Sequence, residues 1–156
     1  MKHYDVQEIA PLHYVFDTNG GGRYELAFVY SSELGEIPVY AFNIERIAKG
    51  TESDEDKNMI RNTVAFVLKI FFEEVDNAIL STCDVDDGMQ MGRKRLFDSW
   101  YKKLAPSDII MIDAQVDSGY GMTWATMYYH RDNIFRSLIE NAFREYQEVM
   151  NAAKEQ

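Results

Sequence analysis

The residues best suited to chemistry lie between Cys83 and Lys103, in CDVDDGMQMGRKRLFDSWYKK, where an acidic turn runs into a basic helix. Gly88 and Gly92 let a backbone come close to a ligand. The unpaired amides of a helix start attract anions, and Arg93, Lys94 and Arg95 add positive charge in the following turn. These five residues are the candidate binding site, for an anion or for an acidic partner. Lys102 and Lys103 extend them into the one basic patch of an acidic chain. A second reading stands beside this one. Asp84, Asp86 and Asp87 place negative charge where the anion would sit, so the same stretch also reads as a carboxylate-capped helix with a solvated basic face.

Other reactive residues form no constellation. Cys83 is the single cysteine of the chain. It would act as a nucleophile only with a base in reach, and His3, His13 and His130 are scattered, so it reads as a buried structural thiol. One cysteine and scattered histidines also leave no spaced zinc motif, and no metal ligands are assigned. Glu52, Asp54, Glu55 and Asp56 place four carboxylates in five positions. No ligands converge on them from elsewhere. Thr51, Ser53 and Asp54 are good N-caps, so this run reads as a helix entry. Tyr128, Tyr129 and His130, with Trp124 on the same strand, read either as a pocket lining or, more commonly for such residues, as core. The chain contains no GxSxG, GxxxxGK[ST], GxGxxG or HExxH.

The elements that must position these residues follow from patterning. His13 to Asp17 and Arg23 to Ser31 are strands, joined through Asn19-Gly20-Gly21-Gly22 as a hairpin, because Asn and Gly tolerate positive φ. Val39 to Ile44 completes a three-strand meander. A long helix then runs to about Val75, with Ile60, Val64, Val67, Leu68, Phe71 and Val75 at helical spacing. Phe66, Ile70 and Phe72 widen its apolar arc, so it is covered on more than one side. Ala78 to Leu80 is a central buried strand, and the basic helix follows it. Pro106 ends that helix. Ile109 to Ile112 and Met122 to His130 pair around Asp117 to Gly121. Asp132 to about Ala153 is the most periodic stretch, with Phe135, Ile139, Ala142, Tyr146, Val149 and Ala153 stepping as a heptad seam does. It either docks on its own sheet or makes a homodimer seam.

A length of 156 residues fits one domain, 1–156, with a single core. Its 46% hydrophobic content excludes a disordered chain. The net charge of -10 argues against a broad nucleic-acid surface and favours a basic partner or plain solubility. The N-terminal MKHYDVQEIA carries no apolar run of signal-peptide length, and no stretch of about 18 apolar residues occurs. A cytoplasmic protein away from membranes is expected.

The element order, β-β-β-α-β-α-β-β-α, resembles the core of the GNAT acyltransferase fold, and Trp100-Tyr101-Lys102-Lys103-Leu104 looks like the tyrosine-bearing helix end found there. The resemblance implies Tyr101 as general acid and Glu45, late in the third strand, as base. It departs at the acyl-CoA turn. Where the family has Q/R-x-x-G-x-G/A, this chain has Arg46-Ile47-Ala48-Lys49-Gly50-Thr51-Glu52, with one glycine and an acidic sequel that repels a pyrophosphate. No cofactor is therefore expected. The segment from Asp56 to Tyr101 is also similar to a family of small uncharacterised proteins of Bacteroides-type bacteria, which implies a layout and no site. The expected fold is α+β, with six mostly antiparallel strands and packed helices in GNAT-like order. The expected function is a non-catalytic acidic binding or regulatory module that engages a protein partner. The alternative is a divergent acyltransferase of that fold.

Overall fold

The computed structural model describes residues 2–31, 34–83, 108–117 and 122–154. They form a mixed α+β fold, a seven-stranded sheet with a helix on each face. In chain order the elements are β1 (Gln7–Ala10), β2 (His13–Asp17), β3 (Arg23–Ser31), β4 (Val39–Ala48), α1 (Asp54–Glu73), β5 (Ala78–Cys83), β6 (Ile109–Asp117), β7 (Met122–His130) and α2 (Arg136–Lys154). The sheet order is β1-β2-β3-β4-β5-β7-β6. Among the described strands only β4 and β5 run parallel, and their register holds just Val39/Ala78 and Tyr40/Ile79.

Seven strands replace the six expected. The additional one, β1, has the sequence QEIA, which shows no alternation and is exposed throughout. It exists because Leu12, at φ 59, turns the chain back so that Gln7 and Glu8 pair with Val15 and Tyr14. The meander is therefore four strands. β4 also continues past Ile44 to Ala48, and α2 begins at Arg136 rather than Asp132. The basic helix expected after β5 lies outside the described residues, as do positions 118–121 of the β6–β7 loop.

Alternation along each strand sorts the core into two layers. Toward α1 point Tyr14, Phe16, Leu26, Phe28, Phe42, Ile79 and Tyr128. Toward α2 point Val39, Ala78, Leu80, Ala114, Ala125, Met127 and Tyr129. Helix α1 starts where Ser53 Oγ accepts from the Asp56 amide and Asp56 Oδ2 accepts from the Ser53 amide, a reciprocal capping box. Its Val64, Val67, Leu68 and Phe71 are buried on the sheet, and Phe71 stacks on Phe28 with ring centroids 4.1 Å apart. The second side of its wide apolar arc is covered by the N-terminal segment. There His3 stacks on Phe66, the Tyr4 amide donates to Thr63 Oγ1 at 2.9 Å, and the Tyr4 hydroxyl donates to Asp56 at 2.8 Å. Helix α2 seats Ile139 and Phe143 in the opposite layer, with Phe135, Ala142 and Tyr146 half-buried beside them.

Candidate functional site

The turn between β4 and α1 is where the acyltransferase resemblance would place a pyrophosphate, and in this chain it is already filled. The Thr51 amide donates to the Gly20 carbonyl at 3.1 Å, which pins the turn to the β2–β3 loop. The two segments touch backbone to backbone. A Cβ on Gly20 would stand 1.9 Å from the Thr51 carbonyl oxygen, and one on Gly50 would stand 2.4 Å from the Gly20 oxygen and the Gly22 nitrogen. Side chains close the rest. Tyr24 donates to Glu52, and Asp56 is shared by the capping box and Tyr4. The bond from the Ser53 amide, then that from the Tyr4 hydroxyl, holds the Asp56 carboxyl below its usual pKa, so it stays charged at the helix start. A pyrophosphate does not fit here. The Thr51, Ser53 and Asp56 amides are engaged, and carboxylates occupy the positive end of the dipole.

Glu45, the base implied by the resemblance, is exposed on the β4 face turned away from α1. There it is the Cα partner of Glu25 across the β3–β4 ladder. Two carboxylates directly opposite one another in an antiparallel pair repel. His13, on β2 next to β3, brings Nε2 to 3.5 Å from Glu25 Oε2, on the side of β3 away from Glu45. Around them the same face carries Ala27, Val29, Ala41 and Asn43, of which Val29 is 50% exposed. The opposition of Glu25 and Glu45 was not visible in the sequence, because it depends on the register of two strands twenty residues apart. The only trace of it is that both glutamates sit at odd positions of alternating strands.

Tyr101, Gly88, Gly92, Arg93, Lys94 and Arg95 lie outside the described residues. Tyr128 and Tyr129 are both buried, on opposite faces of β7, and so belong to the two core layers. The histidines stay apart, as their spacing implied. His3 lies on α1, His13 on the open face, and His130 accepts from the Asp132 amide in the turn after β7. Among the described residues, no group of three His, Cys, Asp or Glu side chains comes together as a metal site would require.

The family of unknown function DUF6169 matches residues 55–145. The chain belongs to DUF6169. The span shared with the family takes in nearly all of α1, then β5, β6, β7 and the first half of α2, and it leaves β1–β4 with the Glu25–Glu45 face outside. No curated protein matches the chain. Among the described residues no helix is long and apolar enough to cross a membrane.

Within the DUF6169 span a polar cluster, buried at Tyr129 and open at Arg136, ties α2 to the sheet. The Tyr129 hydroxyl donates to Glu140 Oε1 at 2.6 Å, and Arg136 Nε donates to the same oxygen at 3.1 Å. Burial first, then Glu140, raises the Tyr129 pKa, while the Tyr129 and Arg136 bonds lower that of Glu140. On the other layer, burial and a bond to Glu8 push Tyr14 up to about 12. These are structural hydroxyls rather than acids poised for catalysis, because a general acid works best with a pKa near the working pH. They also set a pH limit. As pH climbs past ~10 the unfolded chain sheds tyrosine protons that the folded chain retains, so stability is full below that value and is lost through the folded pKa values. In a tyrosinate absorbance titration, Tyr14 and Tyr129 are expected to ionise only together with loss of the circular dichroism signal. Reversible ionisation of Tyr14 and Tyr129 at pH ~10 with the fold intact would contradict their burial and their hydrogen bonds.

Proposed function

We propose that the protein is a non-catalytic binding module that engages a protein partner through the β2–β4 face opposite α1. The observation that carries this reading is the opposition of Glu25 and Glu45 on an accessible face beside half-exposed Val29. A cross-strand pair of like charges costs a folded chain stability and tends to persist where it serves a partner. The partner is one that places a Lys or Arg between the two carboxylates and an apolar side chain against Val29. The overall charge of -10 steers such a basic surface toward the chain.

Replacing Glu45 separates this role from a purely structural one. Glu45→Gln is expected to raise stability by ~0.2–1 kcal/mol, because it removes the repulsion. Glu45→Lys is expected to abolish retention of the partner from cell extract while leaving the circular dichroism spectrum unchanged. If Glu45→Gln instead lowers the melting temperature, the two carboxylates are not in conflict and the reading fails.

A divergent acyltransferase is the second reading, supported by the chain order in which β2–β4 precede α1 and β5 follows it, a GNAT-like arrangement with Glu45 as base and Tyr101 as acid. The filled turn before α1 weighs against it. In a thermal-shift titration with acetyl-CoA and free CoA, no saturable shift is expected. A ligand at 100-fold excess over its Kd would stabilise the fold by ~2.7 kcal/mol, and a shift of that size would put the acyltransferase reading first.

A further inference from the structure

We propose that the β6 edge of the sheet is a self-association surface, on which a second copy of this chain adds its own β6 antiparallel and sets its α2 alongside, forming a two-fold dimer. The two edges of the sheet are treated differently. β1 is four residues long, interrupted by a bulge between Glu8 and Ala10, and followed by Pro11, three devices that blunt an edge against pairing. β6 has none of them. It runs nine residues in unbroken register with β7, its one neighbour among the described strands, and it opens with the uncharged run Ile109-Ile110-Met111-Ile112.

A long apolar edge of this kind pairs with another strand or aggregates. Its own copy is the strand that fits. In a register centred on Met111, Ile110 meets the partner subunit's Ile112 and Met111 meets the partner subunit's Met111. Ile109 then meets the partner subunit's Asp113, so no carboxylate faces another. Met111 is 43% exposed on the sheet, and this register covers it. For a chain with a net charge of -10, a second copy is repelled except where both surfaces lack charge, and Ile109 to Ile112 is such a place.

Strand pairing alone falls short of the ~800 Å² per partner that a stable interface buries. Helix α2 supplies further area, because it packs over β6 and β7, and a two-fold axis normal to the sheet places both copies of it on the same face. Beyond its core residues α2 leaves Leu138 57% exposed and Val149 largely exposed, eleven positions apart and so on one flank, and Ile134 in the turn just before the helix is exposed as well.

The test is sedimentation equilibrium of the full chain over micromolar to high-micromolar concentrations, for the wild type, Met111→Lys and Leu138→Glu. The wild type is expected to dimerise, and each variant to weaken the dimer by roughly tenfold or more with an unchanged circular dichroism spectrum. Deuterium exchange of the Ile110 to Ile112 amides in the wild type keeps the test decisive should a variant fail to fold, since their protection is expected to rise with protein concentration. A wild type that stays monomeric throughout would overturn the proposal. A dimer that both variants leave intact, with β6 exchange independent of concentration, would also overturn it.

Discussion

Ile139→Glu is expected to leave no folded protein. Ile139 is 0% exposed, at the centre of the layer that joins α2 to Val39, Ala78, Met127 and Tyr129. Merely truncating such a residue costs ~2–5 kcal/mol, and a carboxylate there adds the cost of an unpaired buried charge. Against a total stability of roughly 5–15 kcal/mol, the sum removes most or all of the folded population. Leu138→Glu is the matched control for folding, because the same charge one position earlier lies outside the protomer's core. Circular dichroism and one-dimensional NMR of the pair should show a disordered chain and a native one. A folded Ile139→Glu monomer would mean that α2 is not part of the protomer's core, and the heptad-like seam would then have to be covered by something else.

Gly20→Ala is expected to be the most damaging of the small changes in the meander. The added methyl would stand 1.9 Å from a backbone carbonyl oxygen, that of Thr51, so neither side can yield by rotating a side chain. The β2–β3 loop and the β4–α1 turn must separate, and the Thr51 to Gly20 hydrogen bond is lost with them. Overpacking of this kind costs ~1–3 kcal/mol or more, a drop in melting temperature of roughly 2–4 °C per kcal/mol for a chain this long. Gly21 provides the comparison. It sits at φ 88 with open space around its Cβ position, so Gly21→Ala meets backbone strain alone. Amide exchange at Thr51 should quicken in Gly20→Ala and stay slow in Gly21→Ala. If Gly20→Ala melts like the wild type, the two loops are not in contact, and the physical objection to a phosphate at this turn falls as well.

The same two regions show how much of the molecule was legible beforehand. The β2–β3 hairpin, the capped start of α1 and the periodic α2 are local facts. Each depends on residues within a turn or two of one another, on Asn-Gly turn chemistry, on Ser53 and Asp56 three positions apart, on apolar side chains every three or four residues. β1 escaped because QEIA has no pattern of its own and becomes a strand only against Val15 and Tyr14. The wide apolar arc of α1 signalled a second cover without saying what it was, and only the folded chain shows His3 and Tyr4 lying there.

Composition and patterning by themselves determined an α+β protein with a meander, a long buried helix, a central strand and an amphipathic final helix. Tertiary structure alone decided that Glu25 faces Glu45, that Gly20 closes on Thr51, that Tyr128 and Tyr129 divide between two cores, and that among the described strands β6 rather than β1 is the long edge. The reason is range. Hydrophobic periodicity and capping act between neighbours in the chain, whereas register, strand order and loop contact join residues far apart in it, and a slip of one residue would turn every side chain of a strand to the other face.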